Sequence, residues 1–111
     1  MLADNPTNMS LAVKLLVPWS RANEAIALRA LLVDEDSDQP VDLGSGPLMA
    51  EGNLEMGRPP GLRRGTPLDA AFVLGFPGVS LPQGSYAWKI EVNNVERARI
   101  PIQVLSPPGA V

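Results

Sequence analysis

From Tyr86 to Val92 every second residue is aromatic or branched aliphatic, and the run follows directly on the turn sequence Pro82-Gln83-Gly84. Alternation of this kind places Tyr86, Trp88, Ile90 and Val92 on one face of an extended strand and turns Ala87, Lys89 and Glu91 to water. Ala98 to Val104 repeats the pattern after Asn93-Asn94, so the last third of the chain reads as a hairpin. The twelve prolines and ten glycines in 111 residues work in the same direction, because proline fixes φ and removes a donor while glycine supplies positive φ. Short strands joined by turns suit such a chain better than a helix bundle.

The length bounds the chain to one domain with a single core over residues 1–111, with 1–8 and 106–111 expected as tails. A net charge of -3 provides no electrostatic footprint for nucleic acid or an anionic membrane. Cysteine and histidine are both absent, which removes a disulfide framework, a thiol nucleophile, the commonest general base and the commonest zinc ligand. The start, Met1-Leu2-Ala3-Asp4-Asn5-Pro6, has no signal-peptide pattern, and no apolar run reaches membrane-spanning length. A cytoplasmic location is the expectation.

Strands are expected at Met9–Val17, at Leu48–Met56 with a weak point or bulge at Gly52, and at Leu68–Phe76, where Pro77-Gly78 stops the run. Ser20 to Val33 admits two readings. Its Ala, Glu, Leu and Arg favour a helix capped by Ser20, whereas period two puts Ile26, Leu28, Ala30 and Leu32 inward. Gln39–Leu43 is short enough to pair back across the acidic turn Asp34–Asp38. Gly57–Pro67, with its glycines, prolines and arginines, is a surface loop. About seven short antiparallel runs predict an all-β, immunoglobulin-like sandwich. Gly84-Ser85-Tyr86 adds to this, because a tyrosine there matches the tyrosine corner of such folds, its hydroxyl bonded to backbone a few residues upstream.

Three segments carry a resemblance to a known family: Leu15–Asn23, Leu32–Asp36, and Gly57–Asp69 running on to Leu81–Tyr86. Over roughly residues 11–105 the chain resembles a family of small bacterial proteins classed as a domain of unknown function. The resemblance implies a β-rich, sandwich-like fold and names no substrate, cofactor or catalytic residue. Together with the flanking strands it decides Ser20–Val33 in favour of a strand. One departure stands out: family members follow an opening like Met1–Asp4 with a longer β segment, which this chain lacks. A sheet edge left open by that loss invites pairing with another chain.

Several constellations have a functional and a structural reading. Asp34, Glu35, Asp36, Asp38 and Asp42 crowd five carboxylates into nine residues, and the spacing of Asp34, Asp36 and Asp38 opens a calcium loop. Gln39 stands where that loop needs glycine and Ser45 where it needs a bidentate glutamate, so a solvated turn is the stronger reading. Arg58, Arg63 and Arg64 on a Pro/Gly loop could present guanidinium groups to a partner's carboxylate or phosphate. Arg58 also has Asp69 and Glu55 as candidate structural partners. Trp88 reads as core, and Trp19, where a strand ends at Pro18, as a residue that could lie beside a partner site. No serine sits in a nucleophile-elbow pattern with a base to activate it.

The sequence therefore points to a non-enzymatic binding or assembly module without cofactor or metal. It would self-associate, as a homodimer, or join a protein partner through a sheet edge or the Gly57–Pro67 loop, with Trp19, Arg58, Arg63 and Arg64 as the candidate partner-binding residues. The alternative is a small-molecule or divalent-cation binder that uses the acidic 34–42 turn. Nucleic acid and membrane are not expected partners.

Overall fold

Each period-two run of the sequence is a paired strand in the computed structural model, which describes residues 1–106. The strands are β1 (Thr7–Val17), β2 (Ile26–Asp34), β3 (Met49–Leu54), β4 (Leu68–Val79), β5 (Gly84–Val92) and β6 (Val95–Val104). They form two antiparallel sheets, one of order β1-β4 and one of order β3-β2-β5-β6. Among the described residues the only helical element is a 3-10 turn at Trp19–Arg21. The strand reading of the ambiguous segment is thus correct from Ile26 onward. Helix formers yield there because β2 has a partner on each side and buries Ile26, Leu28, Ala30 and Leu32.

Three expectations are corrected. Six strands form rather than seven, since 39–43 makes isolated bridges, Pro40 with Val33 and Asp42 with Pro47, and single backbone bonds to Leu32, Asp34 and Leu48 in place of a continuous ladder. Gly52 pairs in register with Leu28 and introduces no bulge. Pro77-Gly78 does not end β4 but makes a bulge in it: the register slips between Thr7 and Met9, Gly78 takes φ +64°, and its N–H donates to Asn8 Oδ1 at 3.0 Å. The strand then runs on to a buried Val79.

The β5–β6 hairpin turns on Asn93 and Asn94 at φ 50° and 66°, the left-handed pair that a two-residue hairpin loop needs. Asn93 also exchanges two bonds with Ala27, its N–H donating at 2.8 Å and its Oδ1 accepting at 2.9 Å, which ties the turn to the start of β2. Between the sheets, Trp88 is 1% exposed and lies against Phe76 with ring centroids 4.4 Å apart. Leu32, Leu81 and Val104 complete the most deeply buried part of the core. The Tyr86 hydroxyl donates to the carbonyl of Pro82 at 2.8 Å, and burial, with Asp34 and Asp4 nearby, raises its pKa so that it stays a donor.

The outer face of β5 is drier than period two suggests. Ala87 and Glu91, expected in water, are buried, as are Leu31 and Val33 beside them. Glu91 is paired with Arg29, whose Nε donates to it at 2.7 Å. The residues before β1, read from the sequence as a tail, are hydrogen-bonded: Ala3 N–H donates to Leu105 C=O at 2.8 Å and Asp4 N–H to Leu81 C=O at 2.9 Å. Of the other expected tail, 106–111, Ser106 is tied down by its hydroxyl, which donates to Gln83 Oε1 at 2.5 Å, and 107–111 lie outside the described residues.

Loss of the Tyr86 hydroxyl leaves a carbonyl unpaired, so Tyr86→Phe is expected to cost about 1–2 kcal/mol. Trp88→Ala, which opens a cavity against Phe76, is expected to cost about 3–5 kcal/mol. Urea denaturation of both variants checks the order; equal midpoints would remove Trp88 from the centre of the core.

Candidate functional site

At one end of the molecule two of the sequence-predicted residues meet. Pro18 stops β1, its carbonyl accepts from Arg21 N–H at 2.9 Å, and the resulting 3-10 turn holds Trp19 half-buried. Asn23, at φ 65°, donates its N–H to the carbonyl of Met56 at 2.8 Å and so brings the chain after β3 alongside the turn. Arg58 then lies over the indole of Trp19, 4.5 Å from the ring centroid, and its Nη2 donates to the Trp19 carbonyl at 3.0 Å. This pairing replaces the partners anticipated for Arg58. Asp69 is held by Lys14 at 3.2 Å instead. Stacking of this kind contributes about 0.5–1 kcal/mol at an exposed site, so Arg58 fixes the corner as much as it decorates it.

Beside the corner, Leu16, Pro18, Trp19, Ser20, Gly65 and Pro67 line a shallow recess of about 520 Å³, in which Leu16 is 62% exposed. Arg63 and Arg64 sit on the same loop, exposed and without an ion pair among the described residues. The structure thus unites Trp19 with Arg58 and leaves Arg63 and Arg64 as free cations on the neighbouring rim.

The acidic turn is built differently from a cation loop. Asp34 Oδ1 accepts from the N–H groups of Asp36 and Ser37, and Asp42 Oδ1 from those of Gly44 and Gly46, so both carboxylates close turns of their own chain. Asp38 reaches across to the outer face of the larger sheet, where Arg99 donates to it at 2.8 Å and Lys89 at 3.3 Å; Arg99 also bonds Glu96 at 2.7 Å. These hydrogen bonds, Arg99 first, lower the pKa of Asp38, and Arg99 does the same for Glu96. Among the described residues no three carboxylate, histidine or cysteine side chains stand together in a way that could hold a metal ion.

A third feature concerns sheet width. The smaller sheet covers the inner rows of β2 and β5, where Ala30, Leu32, Trp88 and Ile90 are buried, and reaches those of β3 and β6 only in part: Val104 is buried, Ala50, Leu54 and Ile102 are half-buried, and Ala98 and Ile100 are exposed. Ile100 lies directly opposite Trp88 on β6, sharing its inward face, and is 40% exposed. On the other side, Ala50 and Leu54 of β3 and Ala70, Phe72 and Leu74 of β4 are only half-buried and line a groove of about 370 Å³. β1 and β4 pair only with each other, so each has an unpaired edge. Sequence alternation marks Ile100 as inward-facing; it carries no signal that nothing lies above it.

A family of unknown function, DUF6941, matches residues 3–105, and the chain belongs to that family. No curated protein and no solved structure matches the chain. Among the described residues no helix is long and apolar enough to cross a membrane.

The Asp38 and Glu96 shifts fix the sign of a pH dependence. A carboxyl held below its unfolded pKa stabilises the fold above that pKa and loses the effect as pH falls through the folded value. Urea midpoints of the parent and of Asp38→Asn should therefore differ near neutral pH and converge in acid, where Asp38 is protonated in both states of the parent. A constant gap down to low pH would remove the Asp38–Arg99 pair as its source.

Proposed function

We propose that the chain is a non-enzymatic binding or assembly module with an immunoglobulin-like sandwich, which takes up a protein partner along an open sheet edge. The strand order supports the architecture, because a pair β1-β4 facing β3-β2-β5-β6 corresponds to the two central strands of one sheet and the C′CFG strands of the other. Tyr86, bonded to a carbonyl four residues upstream at the start of β5, occupies the position of a tyrosine corner. The short passage from Asp4 to Thr7 stands, in this reading, where the family has a further β segment.

The observation that carries the function is the pair of bare edges. β1 and β4 are 11 and 12 residues long, and each offers one whole side of unpaired backbone donors and acceptors. Sandwiches ordinarily shield such edges with further strands, charges, proline or loops. β6 has Pro101 at mid-strand and β4 has Pro77 at its bulge, whereas β1 has no proline between Thr7 and Val17. Main-chain pairing along an edge needs no nucleophile or base, in keeping with a chain that has neither cysteine nor histidine. The exposed guanidinium groups of Arg63 and Arg64, next to the Trp19–Arg58 stack, form a second contact area at one end of the same sheet.

Affinity capture from the native host, run in parallel with the parent, with a double edge variant (Ile100→Lys, Phe72→Lys) and with Asp36→Asn, tests this reading. A protein retained by the parent and by Asp36→Asn but lost from the edge variant is the expected outcome. Identical retention by all three, with light scattering showing only monomer at high concentration, would sink it.

A further inference from the structure

The free side of β1 borders a ledge rather than open solvent. Its floor is the first part of the inward row of β6, the exposed Ala98 and Ile100, with the half-buried Ile102 closing its far end. Its wall is the half-buried row Met9, Val13 and Leu15 of β1. Toward Val17 and Val95 it deepens into a trough of about 580 Å³ lined by Leu15, Val17, Ile26, Val92 and Val95. A strand added beside β1 would lie about 4.8 Å from it, which places that strand over β6.

Near the far end of that row the chain lays an extended segment of its own against β6 rather than against β1. At the opposite end, Met1–Asp4 runs parallel to the end of β6, with Leu2 bridged to Leu105 and the N–H of Leu105 donating to Met1 C=O at 2.9 Å. Met1 and Ala3 pack on the core and Leu2 faces out, a two-residue repeat. The stretch between Met9 and Val17 has no such cover among the described residues.

Strand order decides which occupant fits. A second copy brought edge to edge by a two-fold axis would carry its own β6 one strand beyond its own β1. The overhanging β6 strands of the two copies would then claim the same space, so symmetric β1–β1 pairing is blocked. A lone extended segment has no overhang. The charges lining the trough are both positive: Arg21, held by Glu24 at 2.6 Å, and Arg97, which has no carboxylate partner among the described residues. We infer that the β1–β6 ledge seats a single extended segment of a partner protein, apolar at alternate positions and acidic at the end beside Arg97. This rests on the edge-binding reading above and names its partner's chemistry. Pairing antiparallel to β1, as β4 does on its other side, puts the acidic end of the segment at its N-terminus.

The test uses a labelled peptide of two glutamates followed by alternating threonine and valine, seven residues in all after the glutamates, and a control with the same residues scrambled. Fluorescence anisotropy is expected to show saturable binding of the first alone, with slowed amide exchange along β1. Ile100→Glu puts a charge under the apolar row and should weaken binding roughly tenfold or more. Arg97→Glu should weaken it roughly tenfold, less so in high salt. Val73→Glu, on the exposed outer face of β4, should leave it unchanged. Ile100 is already partly exposed, and circular dichroism checks that its variant is folded. No binding up to about 1 mM, the range of the weakest specific contacts, overturns the inference. So does a dimer, seen by sedimentation, that Ile100→Glu dissolves, because the occupant is then a second copy. Protection along β4 in place of β1 overturns the ledge while leaving edge binding itself intact.

Discussion

A sheet two strands wide and a sheet four strands wide share one interior in this protein, and the mismatch in width governs the rest of its organisation. Burial is deepest where the two overlap, along β2 and β5, where Trp88, Leu32, Ala30 and Ile90 are shut away from water with Leu81 and the end of β6 at Val104 beside them. Beyond the overlap, side chains that point inward by every rule of strand geometry still touch solvent, Ile100 most plainly. The unpaired edges of β1 and β4 follow from the same mismatch, since among the described residues no further strand lies beside either one. Apolar surface and free backbone groups therefore coincide, and that coincidence defines what a partner strand requires.

The polar chemistry is spent mostly on holding turns. Asp34 and Asp42 close loops, and Asp38 joins Lys89, Glu96 and Arg99 in an ion-pair cluster on the outer face. Arg58 is committed to Trp19. Exposed pairs of this kind contribute little each, but several that share one arginine hold a loop in a defined place. The cations left over, Arg63, Arg64 and Arg97, all lie at the end of the molecule where β1 and β4 meet the Gly57–Pro67 loop, or on the ledge beside it.

Most of the strands could be read from period two, and the exceptions have identifiable causes. Alternation puts Leu31, Val33 and Ala87 on the face away from the sandwich interior, yet they form a small buried cluster there. Alternation separates two faces but does not say how dry each one is. Pro77-Gly78 signals a stop because Pro-Gly usually ends a strand, whereas the side chain of Asn8, distant in sequence, satisfies the bulge and lets β4 continue. The Trp19–Arg58 stack joins residues 39 apart, a distance at which no local pattern signals contact. Tyr86 is the opposite case: its partner is four residues away, and the motif was visible in the sequence.

By itself, the sequence determined that this chain is built of short antiparallel strands, which side chains of each strand share a face, and that thiol and imidazole chemistry are closed to it. Those properties are local, set by side-chain period, by turn residues and by what the composition omits. Only the tertiary structure decided that Asp34, Asp38 and Asp42 are tied into turns and ion pairs, that Trp19 and Arg58 form one corner, and that Ile100, inward-facing on β6, lies partly uncovered. Each of these depends on how many strands stand in each sheet and which loops cross between them, and long-range pairing of that kind leaves no mark on the order of residues along a single strand.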